Sequence, residues 1–310
     1  MISQVDSRTS ELLAASYEYC RALHRAHGRT YYLATRLLPR WKRKHVHALY
    51  GFTRYTDEIV DCLNGEGPAE RAIRLHRWAN RFAAALDGAP VQDGVLPAVV
   101  HTIEVFDLDR ADFAAFLRSM EMDLTITEYD TYDDLLDYME GSAAAIGTMM
   151  LPILGAGDLA LAREPARELG RAFQLTNFIR DIDEDLERGR VYLPSKDLAE
   201  FGVTPGDLRA RETTDAVREL IAFEVDRARE HYAWAAAGIP MLAPGSQACI
   251  RAAYRLYGGI LDEVVRAGYD VFTRRATVPN RRRLAVAVTS VLTRPGRPVQ
   301  VPATRTPHRV

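Results

Sequence analysis

Residues 174–194 read QLTNFIRDIDEDLERGRVYLP and contain a pair of aspartates within a helix-like stretch. Asp181 and Asp185 are four residues apart, and residues at this spacing lie on one face of an α-helix. Gln174 and Asn177 precede them by steps of three or four, which predicts one polar stripe. Like charges at this spacing destabilise a helix, so the pair indicates a function rather than a merely solvated surface.

A second pair of carboxylates lies far upstream, in the sequence DEIVD at residues 57–61. Asp57 and Asp61 share their predicted helix face with Tyr50 and Arg54. An ion pair between Arg54 and Asp57 is the ordinary structural interpretation, whereas the functional one gives Arg54 a phosphate oxygen. If the two helices face each other, four carboxylates approach one space and require cations. Hard oxygen ligands suit Mg²⁺, which in turn attracts a diphosphate.

The composition indicates an ordinary globular protein. With 310 residues, 47% of them apolar, the chain can bury one large core, and its formal charge of -2 argues against a dedicated nucleic-acid binder. The longest apolar run, residues 143–156, is shorter than a membrane span. Cys20, Cys62 and Cys249 have no metal-type spacing, and no signal-peptide pattern opens the chain, which favours a cytoplasmic protein.

Almost every segment shows a helical period, and alternating β-branched runs are nearly absent. Turn residues separate the segments, and no stretch is long enough to link two domains. We therefore predict one all-α domain over residues 1–293, a helical bundle around a central cavity. The helix-like segments are residues 10–27, 30–37, 40–63, 68–85, 96–103, 110–125, 132–150, 159–186, 215–237, 247–268 and 281–292.

The C-terminal region is strongly basic. No acidic residue follows Asp270, whereas nine arginines lie between Arg274 and Arg309. Residues 294–310, rich in proline, arginine and threonine, are predicted to form a disordered tail. Arg274 and Arg275 follow an aromatic, helix-like stretch and are candidates for a phosphate contact. Peripheral contact with an anionic membrane is left open, as is the oligomeric state.

The segment GSAAAIG at residues 141–147 is rich in small side chains within a helical run. Small side chains let helices pack closely, and they also leave room for a long apolar substrate beside the backbone. Tyr138, one turn earlier, would flank such a channel, and a bend at Gly147 would widen it. The sequence is compatible with both interpretations.

Taken together, these motifs resemble the squalene/phytoene synthase family over roughly residues 28–284. The resemblance implies a single-domain, all-α isoprenoid synthase fold that joins two prenyl diphosphates head to head with Mg²⁺. Bacterial phytoene-forming members are the most similar variety. The segments that carry the resemblance, in order and at fitting spacing, are residues 31–39 (YYLATRLLP), 48–61 (ALYGFTRYTDEIVD), 138–147, 174–194, 257–261 and 268–275.

The resemblance also implies roles for individual residues, with Arg54 and Tyr50 acting in catalysis beside the four aspartates. Mg²⁺, or Mn²⁺ in its place, would be held by Asp57, Asp61, Asn177, Asp181 and Asp185. The diphosphate would be bound by Arg54, Gln174, Arg180, Tyr257 and Arg274, with Thr30 and Tyr192 close by. The prenyl channel would be lined by Tyr31, Tyr50, Tyr138, Ala143 and Gly147.

The implied reaction of the phytoene-forming members joins two geranylgeranyl diphosphates through a cyclopropyl diphosphate, and NADPH is not expected. Synthesis of squalene, dehydrosqualene or presqualene diphosphate from farnesyl diphosphate stays open as an alternative, as does a terpene cyclase on the same fold. A noncatalytic protein that kept the fold is a further alternative. It predicts loss of the acidic pairs, yet all four aspartates are present.

Three departures from the family pattern concern the substrate more than the chemistry. Gly28, Arg29 and Thr30 stand where the family often has Ser-x-Ser, so that one hydroxyl contact is missing. Residues 142–144 read Ser-Ala-Ala in place of Val-Ala-Gly, and Glu128 stands where a basic residue is common. None of these changes removes a predicted metal or phosphate ligand.

Overall fold

The computed structural model describes residues 2–61, 66–91 and 94–293, with side chains from Ser10 onward. Over these residues the chain is helical and has no β-strand, which confirms the all-α prediction; two isolated β-bridges occur. The predicted tail at residues 294–310 lies outside the described residues, as does Cys62.

The helices follow one another with short connections. A π-helical turn, Glu140–Ala144, joins α7 to α8, and a 3₁₀ turn, Ile239–Met241, lies between α13 and α14. The α-helices are α1 (Ile2–His27), α2 (Arg29–Thr35), α3 (Arg40–Asp61), α4 (Pro68–Leu86), α5 (Leu96–Phe106), α6 (Arg110–Met122), α7 (Tyr132–Met139), α8 (Ala145–Leu154), α9 (Leu159–Arg180), α10 (Ile182–Glu187), α11 (Ser195–Glu200), α12 (Pro205–Arg209), α13 (Asp215–Ala236), α14 (Pro244–Arg266) and α15 (Asn280–Leu292).

Local sequence chemistry explains where several helices begin. The side chains of Asp109, Thr131, Asp158, Thr204 and Thr214 each accept a hydrogen bond from a backbone N–H in the first turn of the helix that follows. Such caps satisfy N–H groups that have no partner within the helix. Helices α4, α5 and α14 carry proline in their first turn, where a missing N–H has no cost.

Two segments predicted as continuous helices are interrupted. Residues 132–150 contain the π-helical turn, and residues 159–186 break at Asp181 between α9 and α10. Backbone hydrogen bonds nevertheless continue across that break, because Asp181 N donates to Asn177 O at 2.8 Å and Asp185 N donates to Asp181 O at 2.9 Å. Asp181 is therefore the hinge between two helices, and Asp185 belongs to the second of them.

Helix α9 is the central element, because it packs against α8, α13 and α14. Two clusters of buried apolar side chains surround it, one mainly from α1 and α3–α6, the other mainly from α7, α9, α13 and α14. A cavity lies between them and takes its walls from both. In the described parts of the chain, no helix combines the length and the apolarity needed to cross a membrane.

The small residues of the 141–147 segment serve both roles that the sequence left open. A Cβ at Gly141 would overlap the carbonyl oxygen of Ala115, and a Cβ at Gly147 would overlap that of Ala166. Gly170 of α9 faces the carbonyl oxygen of Ala143 in the same way. Since residues 142, 143, 146 and 147 also line the cavity, close packing and cavity wall coincide here.

We expect Gly170→Ala to destabilise the fold by about 2 kcal/mol or more, because backbone atoms rather than a flexible side chain must move to admit the methyl group. Urea unfolding of the two proteins measures the difference. Gly157→Ala is the matched control, since a Cβ at Gly157 has no neighbour within 4 Å and the residue has no positive φ. Equal stabilities of the two variants would contradict this packing.

Candidate active site

The central cavity has a volume of about 310 Å³. Its lining on α3 falls within residues 46–53, and the first acidic pair follows at residues 57–61. On α9 the lining runs from residue 162 to residue 177, and the second pair follows at residues 181–185. Asp57 and Asp61 therefore lie at the C-terminus of α3, and Asp181 caps the C-terminus of α9. The partial negative charge of these helix ends adds to the need for cations.

The first acidic pair is held by arginines. Arg54 donates from an Nη to Asp57 at 2.9 Å and from Nε to Glu58 at 3.1 Å. Burial of Asp57 and the nearby charge of Asp61 raise the pKa of Asp57 to about 7, although part of its side chain stays open to the cleft. The ion pair of Arg54 with Asp57 is therefore present, and its contact with a phosphate oxygen stays a prediction.

The second acidic pair shows the same arrangement. Arg180 forms two hydrogen bonds with Asp181, and Arg275 approaches the same carboxylate at 2.8 Å. Asp185 is buried, and this burial together with the charge of Asp181 raises its pKa to about 8. Arg275 also forms an ion pair with Glu184 at 2.9 Å. The phosphate contact predicted for Arg274 stays a prediction.

Two arginines connect the acidic pairs. Arg190 lies 3.0 Å from a carboxylate oxygen of Asp61, and Arg188 lies 3.5 Å from the other. The same two guanidinium groups lower the pKa of Asp185, against the larger effect of its burial. The pairs therefore face a common region, as the sequence predicts, and arginine side chains lie between them.

The side chains at the site are suited to a metal ion that is bound partly by protein oxygens and partly by a diphosphate. Within the described residues, no group of three or more His, Cys, Asp or Glu side chains could hold a metal. Asn177, however, has a buried Oδ1 that accepts no hydrogen bond, while its Nδ2 lies 3.4 Å from Gln174 Oε1. A buried oxygen without a donor is costly unless a cation or water satisfies it. Mg²⁺ commonly binds through one or two carboxylates plus substrate phosphates, so no ready-made cage is needed.

A buried aspartate that the sequence analysis missed organises the next layer. Asp123 accepts hydrogen bonds from the hydroxyls of Tyr138 at 2.8 Å and Tyr192 at 3.0 Å. Burial raises the pKa of Asp123 to about 6, and Arg190 donates to its backbone oxygen at 3.0 Å. Asp123 thus connects both tyrosines to the arginine that holds Asp61. A lone aspartate in the sequence gives no signal of such a role.

Two further tyrosines link the cavity to the second acidic pair. Tyr31 lines the cavity and stacks on Tyr257, with ring centroids 4.4 Å apart. Tyr257 interacts with Arg180, whose guanidinium holds Asp181. Phe173 packs against both tyrosine rings, which creates an aromatic wall beside the charged groups.

The remaining predicted residues fall into two groups. Tyr50, Ala143, Gly147, Gln174 and Asn177 line the cavity. Tyr138 and Tyr192 lie behind its wall in contact with Phe178, Thr30 is half-buried outside the lining, and Arg274 is exposed.

Comparison with known proteins agrees with this architecture. Residues 24–282 match the model of a family described as squalene/phytoene synthase. A phytoene synthase of Arthrospira platensis is 36% identical over 292 residues, which cover 89% of this chain and 93% of that protein. A 15-cis-phytoene synthase of Synechococcus elongatus is 34% identical over 298 residues, 92% of this chain and 96% of that protein.

Solved structures show the same fold. A dehydrosqualene synthase in complex with a ligand superposes with a TM-score of 0.84 at 25% identity, covering 92% of this chain and 98% of that one. The squalene synthase HpnC of Alicyclobacillus acidocaldarius has a TM-score of 0.76 at 31% identity, with 84% of this chain and 97% of that one covered.

We expect Asp185→Asn to stabilise the metal-free protein at pH 8.5 and to raise its Tm by about 2 °C or more. The pKa of Asp185 is about 8 in the folded state, above the ordinary value of an unfolded chain. As pH rises above about 4, the unfolded state releases the Asp185 proton while the folded state keeps it. The free energy of unfolding therefore falls with rising pH and stops falling above about pH 8. Thermal melts of both proteins at pH 8.5 measure the difference.

Asp183→Asn is the matched control, because Asp183 lies on the same short helix but is ion-paired with Arg211. It should leave Tm unchanged or lower it. A Tm of Asp185→Asn at or below that of the parent protein at pH 8.5 would show that the buried carboxylate carries no electrostatic penalty.

Proposed function

The chain belongs to the squalene/phytoene synthase family, and we propose that it joins two molecules of geranylgeranyl diphosphate head to head to form phytoene. The observation that supports this most directly is the position of the two acidic pairs. The first lies at the C-terminal end of α3, and the second lies at and just beyond the C-terminal end of α9. Both of these helices line one apolar cavity, and five arginines lie beside the pairs. The similar proteins named phytoene synthase support the choice of substrate and product.

The charged groups bind and activate the diphosphate. Arg54, Arg180 and Arg275 exchange part of their ion pairs with aspartates for phosphate oxygens, which suits planar guanidinium groups. Asp57, Asp61, Asp181, Asp185 and the free oxygen of Asn177 would hold Mg²⁺. The metal supplies positive charge that stabilises the departing diphosphate.

The cavity then protects the allylic cation that remains. Most of its wall is apolar, and water that entered would quench the cation. The ring faces of Tyr31 and Phe173 stabilise positive charge in the absence of water. The double bond of the second substrate attacks the cation and leaves a new cation on that substrate. Loss of a proton from this cation closes the three-membered ring and gives a cyclopropyl diphosphate. This intermediate ionises in turn, rearranges and loses a proton to form the triene.

The length of the cavity favours the C20 substrate. Its lining on α9 extends from Ala162 to Asn177, and fifteen residues of helix span about 22 Å. Among the residues that line it, Ala235, Gly238 and Ala253 have small side chains or none. A cavity closed early by large side chains would instead suit farnesyl diphosphate.

Incubation with geranylgeranyl diphosphate and Mg²⁺ should give a C40 hydrocarbon without NADPH, identified by mass spectrometry. Farnesyl diphosphate, with and without NADPH, is assayed in parallel. Asp181→Asn should reduce turnover about 10²-fold or more, because the charge that holds the metal and diphosphate is lost, while Asp183→Asn should retain it. A C30 product from farnesyl diphosphate as the main activity, or a cyclic product, would overturn the assignment.

We further propose that α15 contacts an anionic membrane surface. Leu284, Val288 and Leu292 form an apolar stripe on its outer face, with 67%, 50% and 74% of their surfaces exposed. The inner face, with Val286 and Ser290, packs against the bundle. An exposed apolar stripe needs a partner, and a chain segment with nine arginines and no acidic residue suits anionic lipid. A C40 hydrocarbon product would leave the protein for the same membrane.

The full chain should float with vesicles of phosphatidylglycerol and phosphatidylcholine, and bind much less to phosphatidylcholine alone. Replacing Leu284, Val288 and Leu292 with Gln should reduce flotation about tenfold, since apolar burial and charge act together. Ile73→Gln combined with Leu161→Gln removes equally exposed apolar side chains elsewhere and is the control. Unchanged flotation of the triple variant would exclude α15 as the contact.

A further inference from the structure

A pair of buried histidines beside the cavity has no part in the chemistry described so far. His24 of α1 is 1% exposed, lines the cavity, and stacks on the ring of Tyr50 with centroids 4.1 Å apart. Its Nδ1 lies 2.9 Å from Nδ1 of His47 on α3, which is also buried. Its other nitrogen, Nε2, is buried and has no hydrogen-bond partner in the described structure. A buried, unpaired polar atom in a cavity wall points to a ligand or reactant.

Gly28 is what allows these rings to occupy this position. A Cβ at Gly28 would lie 2.7 Å from the ring of Tyr50 and 2.8 Å from Cδ2 of His24, the carbon bonded to Nε2. Any larger residue would therefore displace one of the rings. Gly28 is also the first residue of the Gly-Arg-Thr sequence that stands where the family often has Ser-x-Ser. The edge of the His24 ring therefore lies next to the place where that serine hydroxyl would be.

The contact between the two Nδ1 atoms constrains the protons. One hydrogen lies between the atoms, donated by one ring and accepted by the other, because each neutral imidazole has one donor and one acceptor nitrogen. When His24 donates from Nδ1, its Nε2 carries a free lone pair. Burial, followed by the proximity of His47, lowers the pKa of His24 to about 3, which keeps this ring neutral and able to accept a proton.

The surroundings of His47 allow it to share the resulting charge. Tyr32 of α2 stacks on its ring, Glu18 and Arg21 come from α1, and Arg43 comes from α3. Burial and the two arginines lower the pKa of His47 to about 4, while Glu18 acts in the opposite direction. A proton on this pair is therefore held weakly and returns readily to solvent after turnover.

We propose that Nε2 of His24 is the proton acceptor of the reaction, a role that rests on the proposed function. The C–H bond next to the cationic carbon breaks, its electron pair forms the new C=C bond, and the proton binds Nε2. The Nδ1 proton of His24 moves toward His47, so the pair shares one positive charge. A weak base suffices, because a carbocation is a far stronger acid than an imidazolium. The joining of two geranylgeranyl groups to phytoene releases two protons, one in each step. His24 must therefore pass the first proton on before it accepts the second.

The test separates ionisation from proton loss under single-turnover conditions. Diphosphate release reports ionisation, and mass spectrometry of the C40 products reports how the cation is resolved. For His24→Gln we expect diphosphate release within about threefold of the parent, while phytoene formation falls about 10²-fold, the typical contribution of a general base. C40 alcohols from water capture, or the cyclopropyl diphosphate, should replace phytoene.

His47→Gln tests the pair without removing the acceptor, and we expect about a tenfold fall in phytoene formation. His45→Gln is the control, because His45 is buried and bonded to Tyr17 and Thr102 but does not line the cavity. Far-UV circular dichroism and Tm confirm that each variant is folded. Phytoene as the sole product of His24→Gln at an unchanged rate would overturn the proposal. Failure of the parent protein to release diphosphate would overturn the proposed function instead.

Discussion

The repulsion between carboxylates at the ends of α3 and α9 is the constraint on which the site depends. Asp57 is partly buried and Asp185 is buried, each beside another acidic group, and both have pKa values raised toward neutrality, primarily by burial. Such an arrangement persists only with cations nearby. Arg190, Arg188 and Arg275 fill that role in the structure. A metal–diphosphate pair would satisfy the same constraint, because Mg²⁺ would bring positive charge to the aspartates and the phosphates would pair with the arginines.

The fold serves this constraint through close helix packing. Gly141, Gly147 and Gly170 bring α6, α8 and α9 into backbone contact around the cavity, so that the helices bearing the acidic pairs are fixed by rigid neighbours. Asp123 adds a polar support, since it holds Tyr138 and Tyr192 behind the wall and touches the arginine that contacts Asp61. Preorganised charges need not rearrange when the substrate ionises, which is the main source of electrostatic catalysis.

Much of the fold and of the site could be predicted from the sequence, because helical spacing alone places Asp57 with Asp61 and Gln174 with Asn177. The break at Asp181 and the π-helical turn at residues 140–144 could not, since local periodicity does not report how neighbouring helices pack. The role of Asp123 could not be predicted either, because its hydrogen-bond partners Tyr138 and Tyr192 are distant in sequence. The ion pair of Arg275 with Asp181 also depends on side-chain direction in a loop, which residue spacing does not specify.

We infer that the carboxylates and arginines bind metal and diphosphate as one unit. Calorimetric titration of the protein with inorganic diphosphate, with and without Mg²⁺, tests it most directly. We expect Mg²⁺ to tighten diphosphate binding at least about tenfold, a coupling near 1.4 kcal/mol, and Asp181→Asn to abolish the coupling. Equal diphosphate affinity in the presence and absence of Mg²⁺ would contradict it.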